Sequence, residues 1–335
     1  MNRPVQRPRR LRNGPVVRGL VRESTPSVEQ LVLPLFVVDG TGIREPVQQL
    51  PGVERRSIDE ASGLIEEALD LGIRAFAPFP SVRDRDKDAE ASMATREDSL
   101  GARTIRALAD RFPEAILVAD VALDPYSSDG HDGLVVDGRI VNDPTVDVLA
   151  EMAVMLAECG AGIVAPSDMM DGRVGSIRTA LDRAGSTDTI IMSYAAKYAS
   201  AFYGPFRAAL DSAPTERPGV PSDKRSYQMD PANSNEAVRE ARLDLEEGAD
   251  IVMVKPGLPY LDVIRRLRSE LDSPVAAYHV SGEFAMLRFA AAAGALRYED
   301  ALAESIQSLT RAGADIVLTY GAIDFARIIR AGGDR

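Results

Sequence analysis

Cysteine is nearly absent from this 335-residue chain, with Cys159 the single example. That excludes a disulfide framework and any zinc or iron–sulfur centre built on several thiolates. No apolar run reaches the ~18 residues of a membrane span. No apolar stretch follows the basic N-terminus, so no secretory signal is expected and the reading is a soluble, cytoplasmic protein. The low hydrophobicity of a disordered chain is also missing, since 45% of the residues are hydrophobic. At ~150 residues per domain the length allows two domains, and it equally suits one α/β barrel with extensions.

Lysine is the next scarcity. It occurs only at Lys87, Lys197, Lys224 and Lys255, whereas arginine supplies the other 35 cations. A chain that uses arginine for generic positive charge makes each remaining lysine a functional candidate, because only lysine can deprotonate and act as an amine. Positive charge is also unevenly placed. Arg3, Arg7, Arg9, Arg10, Arg12, Arg18 and Arg22 crowd the first 22 residues with no acid among them, and the net charge of −12 leaves the rest at −19. An acidic body argues against nucleic-acid binding. The basic arm is read as docking on an acidic neighbouring subunit.

Eight short apolar runs recur: Leu31–Val38, Arg74–Phe79, Ala115–Val121, Gly162–Pro166, Thr189–Tyr194, Asp250–Val254, Pro274–Val280 and Asp315–Tyr320. Helical periodicity fills the intervals, as in Ile58–Leu71, Val146–Cys159, Glu236–Glu247 and Leu261–Leu271. Near-continuous hydrophobicity suits parallel strands covered on both faces, and eightfold alternation predicts a (β/α)8 barrel of the TIM type. Three related turns, beginning at Gly160, Gly248 and Gly313, are predicted to open strands four, six and eight. Pro4–Pro26 has neither period and reads as an extended arm. The expected division is an oligomerisation arm over 1–30 and a catalytic barrel over 31–335. Ser81–Ser92 and Ser212–Ser226 read as polar loops after strands two and five, of the kind that carry function.

Lys255 closes strand six, and Lys197 falls just past strand five. Barrel active sites lie at the C-terminal face, so both amines are expected in one mouth. Burial and a second ammonium each lower a lysine's pKa, which allows a neutral amine to form a Schiff base with a carbonyl. Either lysine alone is read equally well as an ion-pair or phosphate-binding residue. The pair, in so lysine-poor a chain, favours imine chemistry. Arg207, Lys224 and Arg225 are candidate carboxylate clamps. Tyr203, Tyr278, Ser281 and Tyr320 are candidate hydroxyl donors. Asp120, Asp124, Asp129, His131 and Asp132 form a carboxylate-rich turn after strand three, whose hard oxygens suit Mg²⁺ or no metal.

Several long segments carry a resemblance: MSYAAKYASAFYGPFR (192–207), SYQMDPANSNEAVRE (226–240), ADIVMVKPGLPYLD (249–262), YHVSGEFAM (278–286) and RAGADIVLTY (311–320), with APSDMMDGRV (165–174) and VALDP (121–125). Through them the chain, from about residue 20 onward, resembles the porphobilinogen synthase (5-aminolevulinate dehydratase) family. The resemblance implies condensation of two 5-aminolevulinate molecules into porphobilinogen, with loss of two waters, in tetrapyrrole synthesis. It implies Schiff bases at Lys255 for the propionate-side substrate and at Lys197 for the acetate-side one. Arg207, Lys224 and Gln228 would hold the acetate-side carboxylate, Ser281 and Tyr320 the propionate-side one, and the segment from Tyr203 to Arg225 would form a lid. Asp120, Asp124 and Asp132 would face the substrate. Zinc-dependent members carry three cysteines where this chain has Ala122, Asp124 and Asp132, so no catalytic Zn²⁺ is expected. An activating Mg²⁺ would sit at Glu240, with Asp168 as an outer-sphere partner. A homo-octamer is the implied assembly, with no nucleic-acid or membrane partner. His279 stands where the family pattern has Gln, and Gly321 where an aromatic is common, which is expected to loosen the pocket floor. A class I aldolase-type barrel is the alternative, disfavoured by the second lysine and by the lack of a glycine-rich phosphate loop. A catalytically dead scaffold is disfavoured by retention of both lysines and both clamps.

Overall fold

The computed structural model describes residues 6–215 and 218–332. Arg3 of the basic arm lies outside the described residues. Eight parallel strands form the centre: β1 (Leu31–Val37), β2 (Ala75–Pro80), β3 (Ile116–Val121), β4 (Ile163–Pro166), β5 (Ile190–Lys197), β6 (Ile251–Lys255), β7 (Val275–His279) and β8 (Ile316–Thr319). Each pairs with its sequential neighbour. β8 returns to β1 through Leu31↔Val317 and Val32↔Leu318, so the barrel has no open edge. Helices cover it outside: α1 (Ile58–Asp70), α2 (Leu100–Arg111), α3 (Asn142–Glu158), α4 (Arg173–Arg183), α5 (Asn235–Glu246), α6 (Leu261–Glu270), α7 (Tyr298–Ala312) and α8 (Ala322–Arg330). This is the expected (β/α)8 barrel. Among the described residues no helix is long and apolar enough to cross a membrane.

Strand alternation divides the core into two layers. Val32, Phe36, Phe79, Val118, Met192, Tyr194, Met253, Tyr278 and Leu318 fill the barrel interior. Leu31, Leu33, Leu35, Phe76, Leu117, Ile191, Val252, Val254 and Val317 pack outward against the helices. Because both faces are covered, the strands read as unbroken apolar runs. Burying each large side chain contributes ~1.5–3 kcal/mol. Gly160, Gly248 and Gly313 join a helix end to the next strand with φ of 106°, 109° and 125°, where a side chain would be strained.

Most strand boundaries fall within one residue of expectation. β5 is the exception and continues three residues past Tyr194 to Lys197. α3 begins at Asn142, four residues before Val146, because its first turn is polar and holds Pro144, a tolerated position that carries no apolar period. The arm is not uniformly extended. It contains a 3-10 turn (Pro8–Arg12) and a short helix (Pro15–Leu20), each with proline in its first turn. Its base is fastened to α7, where Gln307 Nε2 donates to the Ser24 carbonyl at 3.0 Å.

One fully buried ionic network ties α4, α5 and β5 together. Arg173 forks onto Asp244 at 2.9 and 3.2 Å and also donates to Ser193 Oγ at 3.0 Å. Asp168 Oδ2 lies 3.7 Å from Arg173 Nε. Removing one partner of such a pair strands a buried charge, at about 3–5 kcal/mol. Asp244→Ala is therefore expected to lower stability by about that amount, measured by urea unfolding followed by circular dichroism. A loss below ~1 kcal/mol would show that Asp168 alone neutralises Arg173.

Candidate active site

Lys197 and Lys255 are the last residues of β5 and β6 and pair directly in the strand register. Simple alternation would not bring both inward. On β6, Met253 and Lys255 share the interior face. On β5, Met192 and Tyr194 face inward, and the same parity would turn residue 197 outward. The register between the two strands slips by one residue, from Val252↔Ser193 to Val254↔Ala196. Ala195 and Ala196 both pack in the outer layer, and Lys197 returns to the interior. A β-bulge thus re-aims one side chain.

Four aromatic rings surround the Lys255 amine: Tyr278 at 4.7 Å, Phe206 at 4.9 Å, Tyr194 at 5.0 Å and Tyr203 at 5.3 Å from Nζ to the ring centre. No carboxylate pairs with it among the described residues. Burial first, and the Lys197 charge second, push this lysine down to about 7. Lys197 is held differently. Its amine donates to Asp132 Oδ2 at 2.9 Å and to the Ser167 carbonyl. Lys224 takes the other oxygen of Asp132 at 2.8 Å and reaches Asp124 at 3.4 Å. Burial opposes charge on Asp132, but the two lysines prevail and hold its carboxyl well below the usual range. Asp120 has no such partner. Burial and the nearby Asp124 push it up to about 7, and its Oδ1 makes no hydrogen bond.

These groups converge on one cavity, lined by both lysines, the three aspartates, Arg207, Lys224, Gln228 and Tyr203. Gln228 Oε1 is buried without a partner. Of the Tyr203–Arg225 segment, in which residues 216 and 217 lie outside the described residues, Tyr203, Phe206, Arg207 and Lys224 line the cavity. Its short helix, Gly204–Leu210, carries Phe206 and Arg207, and beyond it Pro221 offers its carbonyl to His131 Nε2 at 2.8 Å. His131 Nδ1 accepts from the Tyr227 hydroxyl at 3.0 Å, and burial lowers the imidazole's pKa. The free cavity is about 20 Å³, room for one water molecule.

Ser281 and Tyr320 do not line this cavity. Ser281 Oγ accepts the Phe206 N–H at 3.0 Å, and Tyr320 shares a hydroxyl contact with Tyr278 at 3.2 Å. Tyr278, the hydroxyl partner of Tyr320, faces the Lys255 amine, and Ser281 is bonded to the helix that carries Phe206. Arg225 is exposed and paired with Asp223. Glu240 is half-buried in a separate cavity of about 600 Å³ with Glu236, Asp171 and Asn142. Asp168 is not in that cavity's wall and accepts the Met170 N–H at 2.7 Å. His279 is a core residue, held to Thr319 Oγ1 at 2.9 Å and pushed down to about 4 by burial. At Gly321 a Cβ would meet Leu302 at 2.7 Å and Phe284 at 3.3 Å, so neighbouring side chains fill the space beside this glycine.

The sequence reading missed three contributors. Phe206 and Tyr194 complete the aromatic cage but read in the sequence as ordinary core positions. Glu283, fully buried, accepts the N–H groups of Leu258 and Val280, each at 2.6 Å, and so staples the turn after Lys255 to the segment bearing Ser281. Its only sequence signal is an acid in the first turn of a helix.

Fold and site together define a barrel enzyme with two amines in one closed mouth, the framework for double imine chemistry. Residues 5–328 match the family model for delta-aminolevulinic acid dehydratase. The delta-aminolevulinic acid dehydratase of Bradyrhizobium diazoefficiens is 50% identical over 98% of this chain and 92% of its own length. The chloroplastic enzyme of Physcomitrium patens is 53% identical over 96% of this chain and 73% of its own. The crystal structure of the Toxoplasma gondii enzyme in complex with the reaction product porphobilinogen superposes with a TM-score of 0.94 at 50% identity, covering 97% of this chain and 92% of that one. The chain belongs to the delta-aminolevulinic acid dehydratase family. Its activity is that of a porphobilinogen synthase, a hydro-lyase that joins two 5-aminolevulinate molecules.

With only four lysines, ¹³C labelling at lysine Cε gives each a separable resonance. Lys255 is expected to titrate near pH 7, against an ordinary ~10.4. The Lys197 cation disfavours a second positive charge beside it, so Lys197→Met should move the Lys255 midpoint upward. An unchanged or lower midpoint in that variant would remove Lys197 as a cause.

Proposed function

We propose that this condensation runs through Schiff bases at Lys255 and Lys197, without a catalytic zinc. The observation that carries the reading is the pair of amines at adjoining strand ends, one held near neutrality inside an aromatic cage. A neutral amine attacks the keto carbonyl, and loss of water leaves an imine, a better electron sink than the ketone for the proton removal that bond formation requires. Asp120, pushed to about 7 and with a free oxygen in the same cavity, is the group that carries protons in these dehydrations. Lys255 serves the propionate-side substrate and Lys197 the acetate-side one. Arg207, Lys224 and Gln228 hold the acetate-side carboxylate, supported by their places in the cavity wall. Ser281 and Tyr320 hold the propionate-side carboxylate, a role for which Ser281 Oγ must exchange its present bond to the Phe206 N–H.

The assignment to the aspartate-containing branch rests on donor chemistry. Ala122, Asp124 and Asp132 stand in place of thiolates, and Asp124 and Asp132 direct their oxygens to Lys224 and Lys197. No cluster of three metal-ligating side chains occurs among the described residues. An activating Mg²⁺ fits better at Glu240. Burial, with Asp244 and then Asp171 and Glu236, raises its carboxyl pKa against the opposing Arg173, and a divalent cation relieves that excess of negative field. Mg²⁺ retains several waters, so one direct carboxylate suffices; Asp168, buried beside Arg173 and outside this cavity's wall, does not fit the outer-sphere role. The homo-octamer and the cytoplasmic location belong to the same reading. The oligomer is supported by the arm, whose Leu11, Val16 and Leu20 are 56%, 74% and 81% exposed on a basic strap beside an acidic body.

The deciding experiment is porphobilinogen formation from 5-aminolevulinate in EDTA, then with Mg²⁺ or Zn²⁺. Activity is expected in EDTA, with stimulation by Mg²⁺ but not Zn²⁺. Glu240→Ala should abolish the stimulation. Lys255→Arg keeps the charge but removes the usable amine, so turnover should fall by at least ~10³-fold. Retained turnover in that variant would sink the Schiff-base assignment.

A further inference from the structure

Three of the four lysines belong to the catalytic cavity. The fourth, Lys87, sits in the loop after β2 with its side chain only 4% exposed. Its amine donates to the carbonyl of Asp211 at 2.7 Å and pairs with Asp84 at 3.1 Å. Asp211 ends the helix Gly204–Leu210 in a left-handed conformation, φ 52°. A second cation meets the same helix end. Arg55, on the short strand Glu54–Arg56 after β1, donates from Nε to the Ala209 carbonyl at 2.7 Å and from Nη2 to the Ala208 carbonyl at 2.8 Å. Its remaining nitrogen lies 3.5 Å from Glu45.

The last carbonyls of a helix have no intrahelical donor and form the negative end of its dipole. Here two cations satisfy three carbonyls at that end. They come from the loops after β1 and β2, across the mouth from β5 and β6, the strands that carry the catalytic lysines. The helix so held is the one that places Phe206 over Lys255 and Arg207 in the cavity wall. The free volume of the cavity is about 20 Å³, so substrate binding requires its lining, which includes Phe206 and Arg207 of this helix, to move.

We propose that Arg55 and Lys87 form a latch that fastens the helix Gly204–Leu210 across the barrel mouth, and so act as positioning residues for Arg207 and Phe206. The proposal rests on reading Tyr203–Arg225 as the lid over the substrate site. Lys87 and Arg55 touch only backbone carbonyls and acids outside the cavity. Their contribution is to the population of the closed state, in which Arg207 meets the substrate carboxylate.

Hydrogen–deuterium exchange of the full-length protein without substrate tests this directly. Lys87→Met and Arg55→Met should each speed exchange of the Phe206–Ser212 amides by about tenfold, the effect of losing one or two charge-assisted hydrogen bonds. Amides of β1–β8 should keep wild-type protection, and Lys87→Arg should restore most of the lid's protection. In steady-state assays kcat/KM for 5-aminolevulinate should fall by about the same factor, mainly through KM. Unchanged lid exchange in both variants would overturn the latch. So would acceleration spread evenly over barrel and lid, which marks general destabilisation. Exchange requires no imine, so failure of the Schiff-base reading would show in Lys255→Arg turnover and leave this result standing.

Discussion

The active site depends on one costly arrangement, a lysine amine buried among four aromatic rings with no carboxylate paired to it among the described residues. In water that amine would be charged. Inside the barrel its charged form loses hydration, and the neighbouring Lys197 adds repulsion. Aromatic faces return part of the loss through their quadrupoles, yet a ring at about 5 Å is a weak substitute for a carboxylate. The balance leaves the amine near its neutral point, which is what nucleophilic attack on a ketone needs. A single carboxylate within contact of Lys255 would reverse it.

That requirement explains how charge is distributed around the mouth. Two of the nearby acids are engaged elsewhere. Asp132 is shared by Lys197 and Lys224, and Asp124 leans on Lys224. Burial and Asp124 push the Asp120 carboxyl up to about 7, so its charge opposes the lowering at Lys255 without overcoming burial and Lys197. Two lysines at adjoining strand ends are therefore unlike in environment. Lys197 is an ion-paired, hydrogen-bonded amine, whereas Lys255 is a desolvated one. The ammonium groups of Lys197 and Lys224 also balance the charge of Asp132 and Asp124.

Much of this was legible in the sequence, for physical reasons. Strands buried on both faces, such as β1 and β6, must be apolar throughout, so their runs located them to within a residue. Lysine scarcity pointed to Lys197 and Lys255 before any geometry was known. The bulge in β5 was not legible. It depends on a slip between two strands, and the sequence Ser193-Tyr194-Ala195-Ala196 carries no glycine or proline to mark it. The strand accordingly seemed to end at Tyr194, three residues early. Phe206 was invisible for another reason: apolar residues are read as core unless their neighbours are known. The turns within the arm escaped because they lack an apolar period and bury nothing of their own.

Lid position and amine chemistry are physically inseparable here. Burial is the largest influence on Lys255, and Phe206, carried by the lid helix, supplies one wall of that burial. When the helix withdraws, water reaches the amine and its charged form recovers hydration. When it returns, the same motion removes water, favours the neutral amine and sets Arg207 against the cavity. Water exclusion also strengthens every remaining charge interaction in the mouth. The energy that fastens the lid thus does two things at once. It holds Arg207 in the cavity wall, and it maintains the burial that favours the neutral form of Lys255. A lid held too loosely would leave the lysine protonated, and one held too tightly would admit no substrate to a cavity the size of a single water.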